Sequence, residues 1–259
     1  VMVPGFHLEG PFLNPASGYA GCHPPAAMVP PDPALLERLT RGLRRPVLLL
    51  TLAPERAGAG QVVDWARQAG IVVAMGHSAA GLDQVRQAAA AGVCLSTHLG
   101  NALPQPQPKF LNPLMAQLAE DRMSASFIAD GIHVPPHALK VMLRAKGPGR
   151  SILVTDATAA AAAPPGLYRF AGMTIEHAAD GSVRVPGTTT LAGSALRLDQ
   201  AVRNLVAWGL ADAAEAIATA SVRPAALLGI DWDFGQVSWT EDLRPDRVTP
   251  GGGMIPPRR

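Results

Sequence analysis

The stretch IVVAMGHSAAGLDQVRQAAAAGVCLSTH, residues 71–98, sets two short apolar runs on either side of one helical pattern. Ile71 to Met75 and Val93 to Thr97 are too short for helices, and they lack the strict alternation of a sheet with one wet face. They read as strands of a parallel sheet covered on both sides. Between them, Leu82 to Ala91 is patterned as a helix, and Gly92 closes it because glycine enters the left-handed conformation without steric cost. A histidine stands just beyond each run, His77 after the first and His98 after the second.

The same alternation extends in both directions. Val1 to Leu8, Pro46 to Ala53, Ser124 to Ala129 and Ser151 to Thr155 are further strands, and helix signals fill Pro33 to Leu39, Gly60 to Ala69 before Gly70, and Pro136 to Ala145 before Gly147. This α/β pattern fits either a (β/α) barrel or an open doubly wound sheet. Beyond Ala163 it changes: Tyr168 to Ile175 and Ser182 to Val185 flank the turn signal Asp180-Gly181 and predict a β-hairpin. Helices resume over Ser194 to Trp208 and Ala211 to Thr219, while Ala159 to Ala163, followed by Pro164-Pro165, reads as a loop. The division expected is a catalytic domain over 1–230 and a tail over 231–259. From Arg244 that tail is rich in Pro, Gly and Arg without apolar period, and it is expected to be poorly ordered.

Composition narrows the classes of function. A chain of 259 residues that is 48% hydrophobic can bury a barrel-sized core. Its net charge of +2, with arginines scattered along the chain, gives no footprint for nucleic acid. The longest strongly apolar stretch, Pro46 to Ala53, falls far short of the ~20 residues of a membrane helix. With no charged-then-apolar leader, a cytoplasmic location is expected. Cys22 and Cys94 are too few for a disulfide framework, and Cys94 reads as a small hydrophobe within its strand.

Polar residues follow the strands in a regular way. Glu9 ends the first and Glu55 comes just after the second; His77 and His98 follow the third and fourth. Asp130 and His133 follow the fifth, and Asp156 the sixth. In a barrel, C-terminal strand ends converge on the face where chemistry is done. A lone histidine after a strand is ordinary, but a carboxylate and two imidazoles on three strand ends form a ligand set for a divalent cation with positions left open. Asp156, taken alone, is a helix cap or turn former; beside such a cation it becomes a general base.

At these residues the sequence resembles the N-acetylglucosamine-6-phosphate deacetylases of the amidohydrolase superfamily. The resemblance is carried by His7-Leu8-Glu9-Gly10-Pro11-Phe12-Leu13-Asn14-Pro15, Gly76-His77-Ser78, Thr97-His98-Leu99-Gly100-Asn101-Ala102, Ala129-Asp130-Gly131-Ile132-His133-Val134, Val154-Thr155-Asp156-Ala157 and Thr190-Leu191-Ala192-Gly193-Ser194-Ala195, in family order from residue 1 to about 230. It implies a metal-dependent hydrolase on a (β/α)8 TIM-type barrel, here incomplete: the first two strands and most of a small β-sandwich domain are expected to be missing. It also implies that Glu9, His77 and His98 bind the metal and that Asp156 is the catalytic acid/base. Substrate contacts would come from Cys22, His23, Asn101, Ala102, Lys109, Asp130, Gly131, Ile132, His133, Leu191, Ala192 and Gly193. Lys109 stands where the family usually has arginine, which keeps charge and loses the bidentate fork. The implied cofactor is a divalent metal ion, zinc first, with iron, manganese or nickel as alternatives. The implied partner is an amino-sugar phosphate, on a homodimer without nucleic acid or membrane. Two rival readings remain, an amidohydrolase acting on another N-acyl amine or cyclic amide, and a catalytically silent remnant.

Overall fold

The computed structural model describes residues 3–231 and 235–251. Its central sheet has six parallel strands, β1 (Phe6–Glu9), β2 (Val47–Leu52), β3 (Val72–Met75), β4 (Val93–Ser96), β5 (Ser124–Ile128) and β6 (Ser151–Val154), hydrogen-bonded in that order. Each expected strand is present within a few residues, although Val1 and Met2 of the first lie outside the described residues. The unbroken order decides between the two architectures left open by the pattern. A doubly wound sheet reverses direction at a switch point, and this one never does. The fold is an incomplete (β/α)8 barrel, in which β1 and β6 each have one neighbour in the sheet.

Helices α1 (Pro33–Thr40), α2 (Ala59–Gln68), α3 (Leu82–Ala91), α4 (Pro113–Leu118) and α5 (Pro136–Lys146) connect successive strands. Their starts follow from local chemistry. Asp32 Oδ1 accepts from Ala34 N at 2.9 Å and Asn112 Oδ1 from Met115 N at 2.9 Å, each with proline at the first helical position, where no N–H is needed. Leu36, Val62, Val63, Ala66 and Val85 pack on Leu50, Leu52, Val73 and Met75 outside the first strands, and Leu139 and Met142 cover Phe127 and Leu153 farther along. Inside the barrel, Ala74, Leu95 and Ile152 form a smaller cluster. No helix among the described residues is long and apolar enough to cross a membrane. Cys94 is only partly buried, with its thiol 3.8 Å from the Val73 carbonyl oxygen.

Beyond β6 the expected single hairpin is replaced by a four-stranded antiparallel meander, β7 (Gly166–Phe170), β8 (Met173–His177), β9 (Ser182–Arg184) and β10 (Leu191–Ser194). The run Tyr168 to Ile175 is two strands because the chain reverses at Ala171 and Gly172, both at positive φ (49° and 82°). The next helix, α6 (Leu198–Ala207), starts later than expected since β10 extends through Ser194 and Arg197 is still extended. Two more helices follow, α7 (Ala213–Ala220), capped by Asp212, and α8 (Val222–Leu227). Strands β11 (Gly235–Trp239) and β12 (Pro245–Pro250) pair as a hairpin, Trp239 packs on the Phe127 cluster, and Leu243 O accepts from Arg203 at 2.9 Å. Of the tail, 232–234 and 252–259 lie outside the described residues.

One buried cation ties this core together. Lys146 is 1% exposed and donates to Gln117 O at 3.0 Å and Glu120 O at 2.8 Å, closing the end of α4. Burial, then nearby Arg150, lowers its pKa from the ordinary 10.5 to about 8. Between those values the unfolded chain binds the proton and the folded chain does not, so folding becomes more favourable as pH rises through that window. Denaturant unfolding at pH 8 and pH 10.5 should therefore show wild type gaining stability relative to Lys146→Met; a constant difference would contradict this.

Candidate metal centre and active-site cleft

Among the described residues, four of the seven non-glycine residues at positive φ lie together on the C-terminal face: His77 (51°), His98 (32°), Ala102 (51°) and Asp156 (50°). For residues with a Cβ this region is sparsely allowed. Each of His77, His98 and Asp156 stands two residues past the end of its strand, so the chain turns sharply and aims the side chain across the barrel mouth. Gly76 allows the close approach before His77, because a Cβ there would lie 2.9 Å from Thr51 Cγ2 and 3.0 Å from Thr97 Cβ.

Glu9, the last residue of β1, reaches both imidazoles. Its Oε1 is 2.8 Å from His77 Nε2 and 2.8 Å from His98 Nε2, and one ligand atom from each residue falls within 4.8 Å of the others. The two rings stand nearly perpendicular with centroids 5.0 Å apart. His77 Nδ1 lies 2.7 Å from Tyr19 O. A carbonyl only accepts, so Nδ1 carries a proton, and in a neutral ring Nε2 would turn its lone pair toward Glu9. A lone pair and a carboxylate oxygen at that distance repel unless a cation sits between them. The donor set is therefore the kind a borderline divalent cation takes.

The electrostatics agree. Burial works against charge on Glu9, yet the neighbouring imidazoles, the charge of His98 first, hold its carboxyl well below the usual range. Burial likewise opposes charge on His98, and the Glu9 carboxylate overcomes it, pushing His98 up to about 9. Bonds from the main chain lock His98 in place, since His98 N donates to Ser126 Oγ at 2.8 Å and Leu99 N to Ser126 O at 2.8 Å.

These residues floor a cleft of about 1640 Å³ that Asp156 also lines. Among the described residues no hydrogen-bond donor meets the Asp156 carboxylate, and its charge is felt at His98, His23 and Cys22. Burial and the adjacent His77 lower the pKa of His23, whose ring stands 4.8 Å from that of His77. Burial and the Asp156 charge push the Cys22 thiol up, so it is no thiolate at neutral pH. On the far wall His133 Nδ1 is 2.6 Å from Asp130 Oδ2, and Asp130 Oδ1 accepts from the backbone of Ile132 and His133 at 2.9 Å each.

No protein-family model matches the chain. Among curated relatives, it is 35% identical over 235 residues to an N-acetylgalactosamine-6-phosphate deacetylase from Escherichia coli O157:H7, covering 91% of this chain and 61% of the relative. It is 34% identical over 252 residues to an N-acetylglucosamine-6-phosphate deacetylase from Danio rerio, covering 93% of this chain and 60% of the relative. The chain thus spans about 60% of the length of these curated relatives. The crystal structure of N-acetyl-D-glucosamine-6-phosphate deacetylase from Mycobacterium smegmatis superposes with a TM-score of 0.87 at 34% identity, covering 96% of this chain and 68% of that one. The chain belongs to the N-acetylglucosamine-6-phosphate deacetylase family. The Thermotoga maritima member superposes with a TM-score of 0.86 at 26% identity over 97% of this chain and 69% of that one.

Most substrate residues implied by the deacetylase resemblance line the cleft: Cys22, His23, Asn101, Ala102, Ile132, His133, Leu191, Ala192 and Gly193. Three do not. Lys109 is exposed on the loop before α4, outside the cleft wall. Asp130 stands behind the wall orienting His133, and Gly131 faces Trp208, whose ring a Cβ would meet at 3.3 Å. Glu55 is likewise outside the ligand cluster. Sequence reading gave no role to Phe170 to Met173 or to Thr189-Thr190, which complete the cleft from the meander. Gly193 lets that meander close against Asp156, since a Cβ there would lie 2.7 Å from Asp156 O.

Proposed function

We propose that this chain removes the acetyl group of N-acetylglucosamine 6-phosphate, giving acetate and glucosamine 6-phosphate, with Glu9, His77 and His98 holding a zinc ion. The observation that carries the reading is the convergence of these three donors at one point in a cleft shared with Asp156. When bound, the cation supplies Lewis-acid polarisation of the acetamide carbonyl and lowers the pKa of a water within reach. Asp156, whose carboxylate meets no donor among the described residues, takes the proton of the attacking water and returns it to the departing amine. Neutral His23 offers a ring N–H to the developing oxyanion, and His133, its ring fixed by the Nδ1–H bond to Asp130, turns Nε2 to the sugar as an acceptor. Ile132, Leu191, Ala192 and Gly193 shape the sugar site, and Asn101 and Ala102 face the phosphate as uncharged contacts. Lys109 is outside the cleft lining of this chain. A cytoplasmic location and a homodimer complete the proposal.

The test is acetate release measured with the metal content of the same sample. Acetate should be released from N-acetylglucosamine 6-phosphate, stop on chelation and return with zinc; phosphorylated substrate that stays intact in the metal-loaded protein would refute the assignment. The similarity to an N-acetylgalactosamine-6-phosphate deacetylase supports one second reading, the epimeric sugar phosphate. Faster turnover of that epimer would select it. Iron, manganese or nickel in place of zinc would correct the metal and leave the reaction standing.

A further inference from the structure

Glu55 follows β2 with the same side-chain chemistry as Glu9, but its carboxylate is spent on the loops of other residues. Oε1 accepts from Asn14 Nδ2 at 2.9 Å and from Ala79 N at 2.7 Å, and Oε2 from Ser78 Oγ at 2.7 Å. Asn14 belongs to the loop that leaves Glu9, whereas Ser78 and Ala79 follow His77 directly. A backbone bond from Asn14 N to His77 O, 3.0 Å, joins the same two loops. Ser78 is 2% exposed, so water does not compete freely for this contact.

We propose that Glu55 is a positioning residue for the cation centre, acting through the backbone of residues 77–79 and through Asn14. His77 sits at φ 51°, a conformation that persists only where the surroundings over-determine it. Tyr19 O fixes the ring from one side, and Glu55 anchors the two residues behind it from the other. With that anchor gone, the peptide after His77 is free to relax toward an ordinary conformation, which swings Nε2 away from Glu9 Oε1. Glu55 thus couples β1, β2 and β3 so that two ligands on separate strands share one point. The inference rests on the metal reading of Glu9, His77 and His98.

The experiment is cobalt(II) titration of the metal-free chain, followed by the visible d–d absorption, with circular dichroism and a thermal melt on the same samples. Glu55→Ala should bind cobalt about 10- to 100-fold more weakly, the range for outer partners of metal ligands. Its cobalt spectrum should also change in intensity, which a fold merely loosened elsewhere would not produce. Glu55→Gln should restore both, because an amide oxygen still accepts from Asn14 and Ala79 while its NH2 can donate to Ser78 Oγ. Ser78→Ala, which removes one arm, should be intermediate, and it decides the matter should Glu55→Ala fail to fold. Cobalt affinity and spectrum unchanged in folded Glu55→Ala, or in Ser78→Ala where the former does not fold, would overturn the proposal. A wild-type chain that takes up no cobalt would instead remove the metal reading, and the role of Glu55 with it.

Discussion

Asp156→Asn is expected to slow acetate release by about 10²- to 10⁴-fold, the usual worth of a positioned proton-transfer group, while metal content and melting temperature stay near wild type. Asparagine keeps the size and shape of aspartate and is among the few residues that tolerate positive φ, so it fits at φ 50° where alanine would add strain. No donor among the described residues is lost, since none meets the carboxylate. What disappears is the capacity to take a proton. Steady-state turnover with metal analysis on one preparation checks the prediction; a variant retaining more than a tenth of the activity would move the acid/base role to another residue, with His133 first in line.

Glu9→Gln should have the second large effect, loss of the cation itself. Its Oε1 is the shared point of the centre, 2.8 Å from each imidazole nitrogen. An amide carries no charge and coordinates weakly, so affinity should fall by more than the roughly 100-fold that outer partners of a ligand reach, and turnover with it. The contrast with Glu55→Gln is informative: the same chemical change at two glutamates flanking one loop system should empty the site in one case and spare it in the other. Equal metal retention in both variants, measured after exhaustive dialysis, would contradict the ligand assignment of Glu9.

The barrel strands were legible because their apolar runs are dense, uninterrupted and separated by glycine-closed helices, and the clustering of Glu9, His77 and His98 because each follows such a run closely. The meander was not. Its tightest reversal falls at Ala171-Gly172, inside an apolar stretch whose alanine takes a conformation that composition does not announce. The wall of the cleft formed by Phe170 to Met173 was hidden with it. Glu55 illustrates a different limit: residue type and distance from a strand end match those of a ligand, and only the direction of its oxygens separates a support from a donor. Lys109 shows a related limit, since a position counted from His98 says nothing about how the loop before α4 turns.

Positions 77, 98 and 156 would be more comfortable as glycine, because a histidine or aspartate held at positive φ costs about 1–3 kcal/mol each. Folding and chemistry therefore pull in opposite directions at the barrel mouth. A selection for heat resistance alone, carried out on this chain without its substrate, should drift toward inert variants at these three sites before it touches the Val- and Leu-rich strands.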